Sequence, residues 1–175
     1  MGERLGTPDQ PVVETRHQER INRCSCIANR FWVCSPSVFD HCLYFNTTAL
    51  ARRLDKEWSE AFAGFGLTPA QAFMLRVVLA RPGIVPSELA EAMSIARPTA
   101  TRALDGLERL GLVRRERSGR DGREVALVPT DRGRRLKTAL NDASGAVTKR
   151  LKRLLGDDGF TDTVSKIKGV RSALE

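Results

Sequence analysis

The run Pro86-Ser87-Glu88-Leu89-Ala90-Glu91-Ala92-Met93-Ser94-Ile95-Ala96-Arg97-Pro98-Thr99-Ala100-Thr101-Arg102-Ala103-Leu104 decides the fold. It is followed by Leu112-Val113-Arg114-Arg115-Glu116-Arg117 and the tip Ser118-Gly119-Arg120-Asp121-Gly122-Arg123. Pro86 opens a short helix over Ser87–Met93, with Leu89, Ala90 and Met93 at helical spacing on one side. Ser94-Ile95 reads as a turn. The next helix runs from about Arg97 to Leu110 and keeps Ala100, Ala103, Leu104, Leu107 and Leu110 on its buried side. Leu112–Arg117 and Glu124–Val128 read as short strands, and the glycine-containing tip between them makes a hairpin by spacing and turn chemistry.

Upstream, Thr68-Pro69-Ala70-Gln71 opens a helix well: Thr68 can cap, Pro69 fits the first helical position and Gln71 completes a capping box. Arg81-Pro82-Gly83 stops it. Before it, a long helix is predicted from near Ser35-Pro36 or Ser37 to near Gly64, with Leu43, Leu50, Leu54, Trp58, Phe62 and Phe65 on one face. Downstream, Thr130 caps a helix from Asp131 to about Leu155, Gly156-Asp157-Asp158-Gly159 reads as a linker, and a last helix spans Phe160–Leu174. Residues 1–34 read as a flexible cysteine-containing arm, loose at least as far as residue 23, where charge, Gly6, Pro8 and Pro11 leave few large apolar groups. The predicted fold class is mainly α with a small β-hairpin wing: a winged helix-turn-helix lobe over 67–130, flanked by helical segments 35–66 and 131–175.

A helix that enters a major groove roughly 12 Å wide needs short polar groups and donors near its N-terminus. Arg97, Thr99, Thr101 and Arg102 meet that need, although a solvated arginine face on an amphipathic helix would look the same. The hairpin decides between the two. Arg114, Arg115, Arg117, Arg120 and Arg123 crowd it, opposed locally by Glu116 and Asp121 alone, and a polyanion offsets the repulsion. Arginine also suits a narrow minor groove, because its guanidinium is weakly hydrated. Arg117, Arg120 and Arg123 are the expected wing contacts, with Asp121 orienting the tip. The net charge of +8 agrees with a polyanionic partner, here double-stranded DNA.

The runs Leu67-Thr68-Pro69-Ala70-Gln71, Ser87-Glu88-Leu89-Ala90, Thr99-Ala100-Thr101-Arg102, Leu107-Glu108-Arg109-Leu110-Gly111-Leu112-Val113, Asp121-Gly122-Arg123 and Leu127-Val128-Pro129-Thr130 resemble the MarR family of winged-helix transcriptional regulators. The likeness spans about residues 37 to 174. It implies a homodimer in which the first helix and the last two interlock, making 35–66 and 131–175 a dimerisation region, and a repressor acting at a pseudo-palindromic operator. Family members usually carry a capping Ser or Thr where this chain has Ala96, so the recognition helix is expected to start poorly capped, with Pro98 a partial compensation.

The resemblance also implies a switch, either a small phenolic or lipophilic effector between the lobes or cysteine oxidation. Tyr44, Trp58, Phe62, Phe73 and Val77 are the candidate pocket, or simply core. All four cysteines (Cys24, Cys26, Cys34, Cys42) lie in the first quarter of the chain. Cys42, beside His41, is the candidate redox thiol, with Cys24, Cys26 or Cys34 to resolve it as a disulfide. The same cysteines with His41 could instead hold a soft metal ion, or be inert. No cofactor is expected. An enzyme is disfavoured: the chain has two histidines and no nucleophile or phosphate-loop motif. A protein-binding winged helix without DNA binding is a further rival, and the basic wing speaks against it; a nonspecific nucleoid or RNA binder is another, separated by sequence preference in competition against bulk duplex. No apolar run approaches the roughly 18 residues of a membrane span, and no signal-peptide core follows Met1. A cytoplasmic location away from the membrane is expected.

Overall fold

The computed structural model describes residues 38–118 and 124–174. Helix α1 spans Leu43–Phe62 and closes in a 3₁₀ turn, Ala63–Phe65. Then follow α2 (Pro69–Ala80), α3 (Pro86–Ala92), α4 (Arg97–Arg109), β1 (Val113–Ser118), β2 (Glu124–Pro129), α5 (Asp131–Arg135), α6 (Lys137–Leu155) and α7 (Asp157–Ala173). No single helix among the described residues is long and apolar enough to cross a membrane.

The strands pair antiparallel from Val113 opposite Pro129 to Ser118 opposite Glu124. Ile84 adds a one-residue bridge to Leu127 on the far side of β2, with N–H···O distances of 2.8 and 2.9 Å across Gly83, Ile84 and Leu127. The hairpin is thereby fastened to the loop between α2 and α3. Leu75, Val78, Leu89, Leu104, Leu107, Val113 and Leu127 meet in one core, which continues through Phe62 and Leu140 into α1 and α6. Phe62 meets the Phe73 ring edge-on, with centroids 5.7 Å apart.

Helix starts follow local chemistry. Thr68 accepts from the Gln71 amide and the Gln71 side chain accepts from the Thr68 amide, the expected capping box. The Thr130 hydroxyl accepts from the Gly133 amide at 3.1 Å and donates to the Gly111 carbonyl at 2.7 Å. It thus caps α5 and pins that helix to the turn after α4. The close fit continues at Gly133, where a Cβ would stand 2.2 Å from the Leu112 carbonyl oxygen.

Three boundaries differ from the sequence reading. Helix α1 begins at Leu43, not at 35–37; residues 38–41 form a turn instead. The Asn46 amide donates to the carbonyls of Phe39, Asp40 and Cys42, and the rings of Phe39 and Phe45 stack, which holds the chain in that turn. The helix predicted as continuous from Asp131 is interrupted at Leu136, whose amide bonds back to Gly133 in a tighter three-residue step. The four-residue linker shrinks to Gly156, at φ 76° and ψ 158°, a conformation open to glycine. Asp157 and Asp158 fall in the first turn of α7, where the helix dipole favours carboxylates.

Replacing Gly133 with Ala is expected to lower stability by about 1–3 kcal/mol, because backbone on both sides must give way. Gly145→Ala, at a site with nothing within 4 Å, is expected to be neutral or stabilising by up to about 1 kcal/mol. Urea unfolding at one fixed protein concentration reads both.

Candidate nucleic-acid interface

Helix α4 is held by one side and open on the other. Ala100, Leu104, Gly106 and Leu107 are buried. Arg97, Pro98, Thr99, Thr101 and Arg102 are all exposed, together on the first two turns, as their spacing predicts. Thr101 Oγ1 donates to the Arg97 carbonyl at 3.0 Å, so its hydroxyl proton is committed to the helix while the residue stays exposed. Ala96 occupies the N-cap with no side-chain bond, as expected. Pro98 removes one amide that a cap would serve, and the Thr99 amide turns back to the Ala96 carbonyl at 3.0 Å.

The turn before α4 is set by the end of α3. The Ser94 amide bonds to the Glu91 carbonyl and the Ile95 amide to the Ala90 carbonyl, a Schellman closure that requires a left-handed residue between them. Ser94 takes that conformation at φ 51°, the sole non-glycine residue with positive φ among those described. Helix α4 ends the same way with Gly111 at φ 65°, where no Cβ penalty applies.

The hairpin begins beside α4. Arg115 of β1 reaches back to the helix, with Nη2 2.9 Å from Asp105 and Nη1 on Glu108. Arg114 pairs with Glu116 at 2.5 Å. The hairpin arginines are therefore opposed by more than Glu116 and Asp121: two carboxylates of the preceding helix, seven and ten residues back, face Arg115. Arg117 is exposed near the end of β1. Arg120, Asp121 and Arg123 lie outside the described residues.

A cavity of about 450 Å³ opens between α2, the end of α3 and the start of α6, with Phe73, Arg76, Val77, Met93, Lys137 and Asn141 among its walls. Of the candidate pocket residues, Phe73 and Val77 line it. Phe62 is fully buried in the core, and Tyr44 stands 79% exposed. Trp58 packs on Phe73 at 6.1 Å and donates to Ser144 Oγ at 3.3 Å, behind the cavity wall. The sequence reading missed Arg76, Met93, Lys137 and Asn141. Arg76 follows Phe73 by one helical step, a visible signal; the residues from α3 and α6 arrive only by packing.

Cys42 is partly exposed at the N-cap of α1, and His41 is exposed. Cys24, Cys26 and Cys34 lie outside the described residues. Among the described residues, no three His, Cys, Asp or Glu side chains gather as a metal site.

A helix-turn-helix whose second helix shows a polar, basic N-terminal face, followed by an arginine-bearing hairpin, defines a winged helix-turn-helix of the nucleic-acid-binding class. The sequence model of the MarR family matches residues 65–124. The HTH-type transcriptional repressor MdtR of Bacillus subtilis (strain 168) is 33% identical over 85 residues, 49% of this chain and 55% of that protein. The uncharacterised HTH-type transcriptional regulator YybA of the same organism is 31% identical over 87 residues, 50% of this chain and 58% of that protein. The matches thus span little more than half the length of these two relatives. The solved structure of the transcriptional repressor CouR bound to a 23-mer DNA duplex is 30% identical, covers 80% of this chain and 99% of that one, and has a TM-score of 0.69. The chain belongs to the MarR family of winged-helix transcriptional regulators.

Ser94→Gly is expected to stabilise the protein by up to about 1 kcal/mol. Relief of the left-handed penalty, about 1–2 kcal/mol, outweighs the extra freedom glycine gives the unfolded chain. Thermal unfolding of the two proteins side by side reads the difference.

Proposed function

We propose that this chain is a sequence-specific, dimeric DNA-binding repressor that a small ligand releases from its operator. The observation that carries the reading is the open N-terminal face of α4, where Arg97, Thr99, Thr101 and Arg102 stand together in solvent while the opposite face is locked in the core. In a two-fold dimer, a pair of such helices would enter major grooves one helical turn apart, about 34 Å, with Arg117, Arg120 and Arg123 against the flanking minor grooves and Asp121 orienting the tip. CouR in complex with a duplex supports a DNA partner for this chain too.

Dimerisation is assigned to 35–66 with 131–175, and DNA binding to 67–130. Support comes from apolar side chains left uncovered on the flanking helices: Leu43 and Leu50 on α1, and Val164, Ile167, Val170 and Leu174 along α7. A stripe of that kind at three- and four-residue steps is what a second helical surface covers.

The cavity is the proposed effector site. Phe73, Val77 and Met93 offer an apolar bed, and Arg76 and Lys137 supply positive charge, which suits a small phenolic or lipophilic acid. CouR has also been solved with p-coumaroyl-CoA, at 27% identity and a TM-score of 0.70. Thiol oxidation at Cys42 is the second reading, supported by its partial exposure.

Selection of sites from random duplex DNA, with reduced and peroxide-treated protein, tests this function. A two-fold-related motif with reduced protein is expected, and no motif in either arm overturns the DNA reading. Loss of the motif on oxidation alone would move the switch from the cavity to the thiol. On the selected duplex, p-coumarate and p-coumaroyl-CoA serve as first effector probes. Release by either supports the ligand switch, and retention with both discards phenolic acids of this kind.

Residue roles separate by salt and by sequence. Arg120→Ala is expected to weaken binding on all duplexes and to lower the slope of log K against log salt by about 1. Arg102→Ala is expected to cost about 1–3 kcal/mol on the selected site while relaxing preference at one base pair. Fluorescence anisotropy titrations at several salt concentrations separate the two.

A further inference from the structure

Among the described hairpin arginines, Arg115 is the one with ion pairs to α4. Side chains alternate along a strand, so Arg115 shares the face of Val113, which is buried toward the lobe, while Arg114 and Glu116 point the other way. Its guanidinium spans Asp105, at 2.9 Å, and Glu108. Those carboxylates lie on one stripe of α4 with Thr101, at steps of four and three. Exposed Asp105 and, one turn on, partly buried Glu108 thus put two negative charges on the stripe that continues from the proposed groove contacts, an arrangement that repels phosphate unless a cation covers them.

We propose that Arg115 is a positioning residue for DNA recognition: by bridging Asp105 and Glu108 it sets the wing at a fixed angle to the recognition helix and neutralises the carboxylates there. The forked guanidinium can hold two carboxylates at once, which a point-charge ammonium does not reproduce. Two bonds across the joint between β1 and α4 resist rotation of the hairpin about its base, so helix and wing would reach adjacent grooves together. This role rests on the DNA-binding reading above and adds to it an arginine that does not touch the duplex.

A sign test separates this role from a direct contact. The Asp105→Asn/Glu108→Gln double variant removes two negative charges beside the duplex and frees Arg115. If Arg115 were a phosphate contact held in reserve, binding to the selected operator would tighten. If it positions the wing, operator affinity falls, by about tenfold on the scale of one or two charge-assisted bonds, while affinity for a scrambled duplex is kept or raised. Arg115→Lys, which retains the charge, is expected to lose the same operator-to-scrambled ratio. Tighter operator binding by the double variant, or a full ratio in Arg115→Lys, would overturn the proposal. All three sites are partly exposed, and near-parental thermal unfolding of both variants shows that the loss is not one of folding. Failure of the parent protein to select any motif is a separate result, and it would overturn the DNA reading itself.

Discussion

The one-sided burial of α4 is the constraint from which the interface derives. Ala100, Leu104 and Leu107 are sealed against α2, α3 and the hairpin base, and each fully buried leucine contributes about 1.5–3 kcal/mol of transfer free energy. Gly106 completes the contact: a Cβ there would stand 2.3 Å from the side-chain Nε2 of Gln71, whose Oε1 is itself held in the Thr68 capping box. A helix gripped in this way cannot roll. Its outer face, from Arg97 to Arg102, is therefore presented at a defined angle, and a weakly capped first turn costs it little.

The positive charge of the chain divides into groups that build and groups that face solvent. Arg115 is engaged by Asp105 and Glu108, Arg132 donates to the Leu110 carbonyl at 2.9 Å, and Arg150 meets Glu57 at 2.7 Å across α6 and α1. Arg97, Arg102 and Arg117 stand exposed on the helix and strand that carry the proposed interface. The net charge of +8 says nothing about this division, which depends on which carboxylates the fold brings near each guanidinium.

The cavity and the junction between helices share a polar centre. Ser144, buried on α6, accepts from Trp58 of α1 at 3.3 Å and from Arg76 of α2 at 2.9 Å. Arg76 also donates to Asn141 at 2.9 Å and lies over the Phe73 ring, 5.5 Å from its centroid. Arg76 and Asn141 are wall residues of the cavity, so what enters it meets groups that also join three helices. A buried hydroxyl with two donors is satisfied only while α1, α2 and α6 keep their spacing.

Periodicity and turn chemistry were enough to place α2, α3, α4 and both strands, because their signals are local: Thr68 to Gln71, Arg81-Pro82-Gly83, Pro86 and Thr130 act within one or two turns of themselves. The outward set on α4 was legible for the same reason, since a helical period alone separates Ala100 and Leu104 from Thr101 and Arg102. Local signals failed where side chains from elsewhere intervene. Asn46 and the Phe39–Phe45 stack hold residues 38–41 out of α1, and Tyr44, though aromatic and on the expected helix, ends in solvent and is not among the cavity's lining residues. The cavity joins Phe73 and Arg76 to Met93, Lys137 and Asn141, and Arg115 finds its carboxylates ten and seven residues back on another element. Identity and helical phase are written along the chain. Which charges neutralise one another, and which aromatic rings line a space rather than fill it, are settled by distances of a few ångströms between segments that only packing brings together.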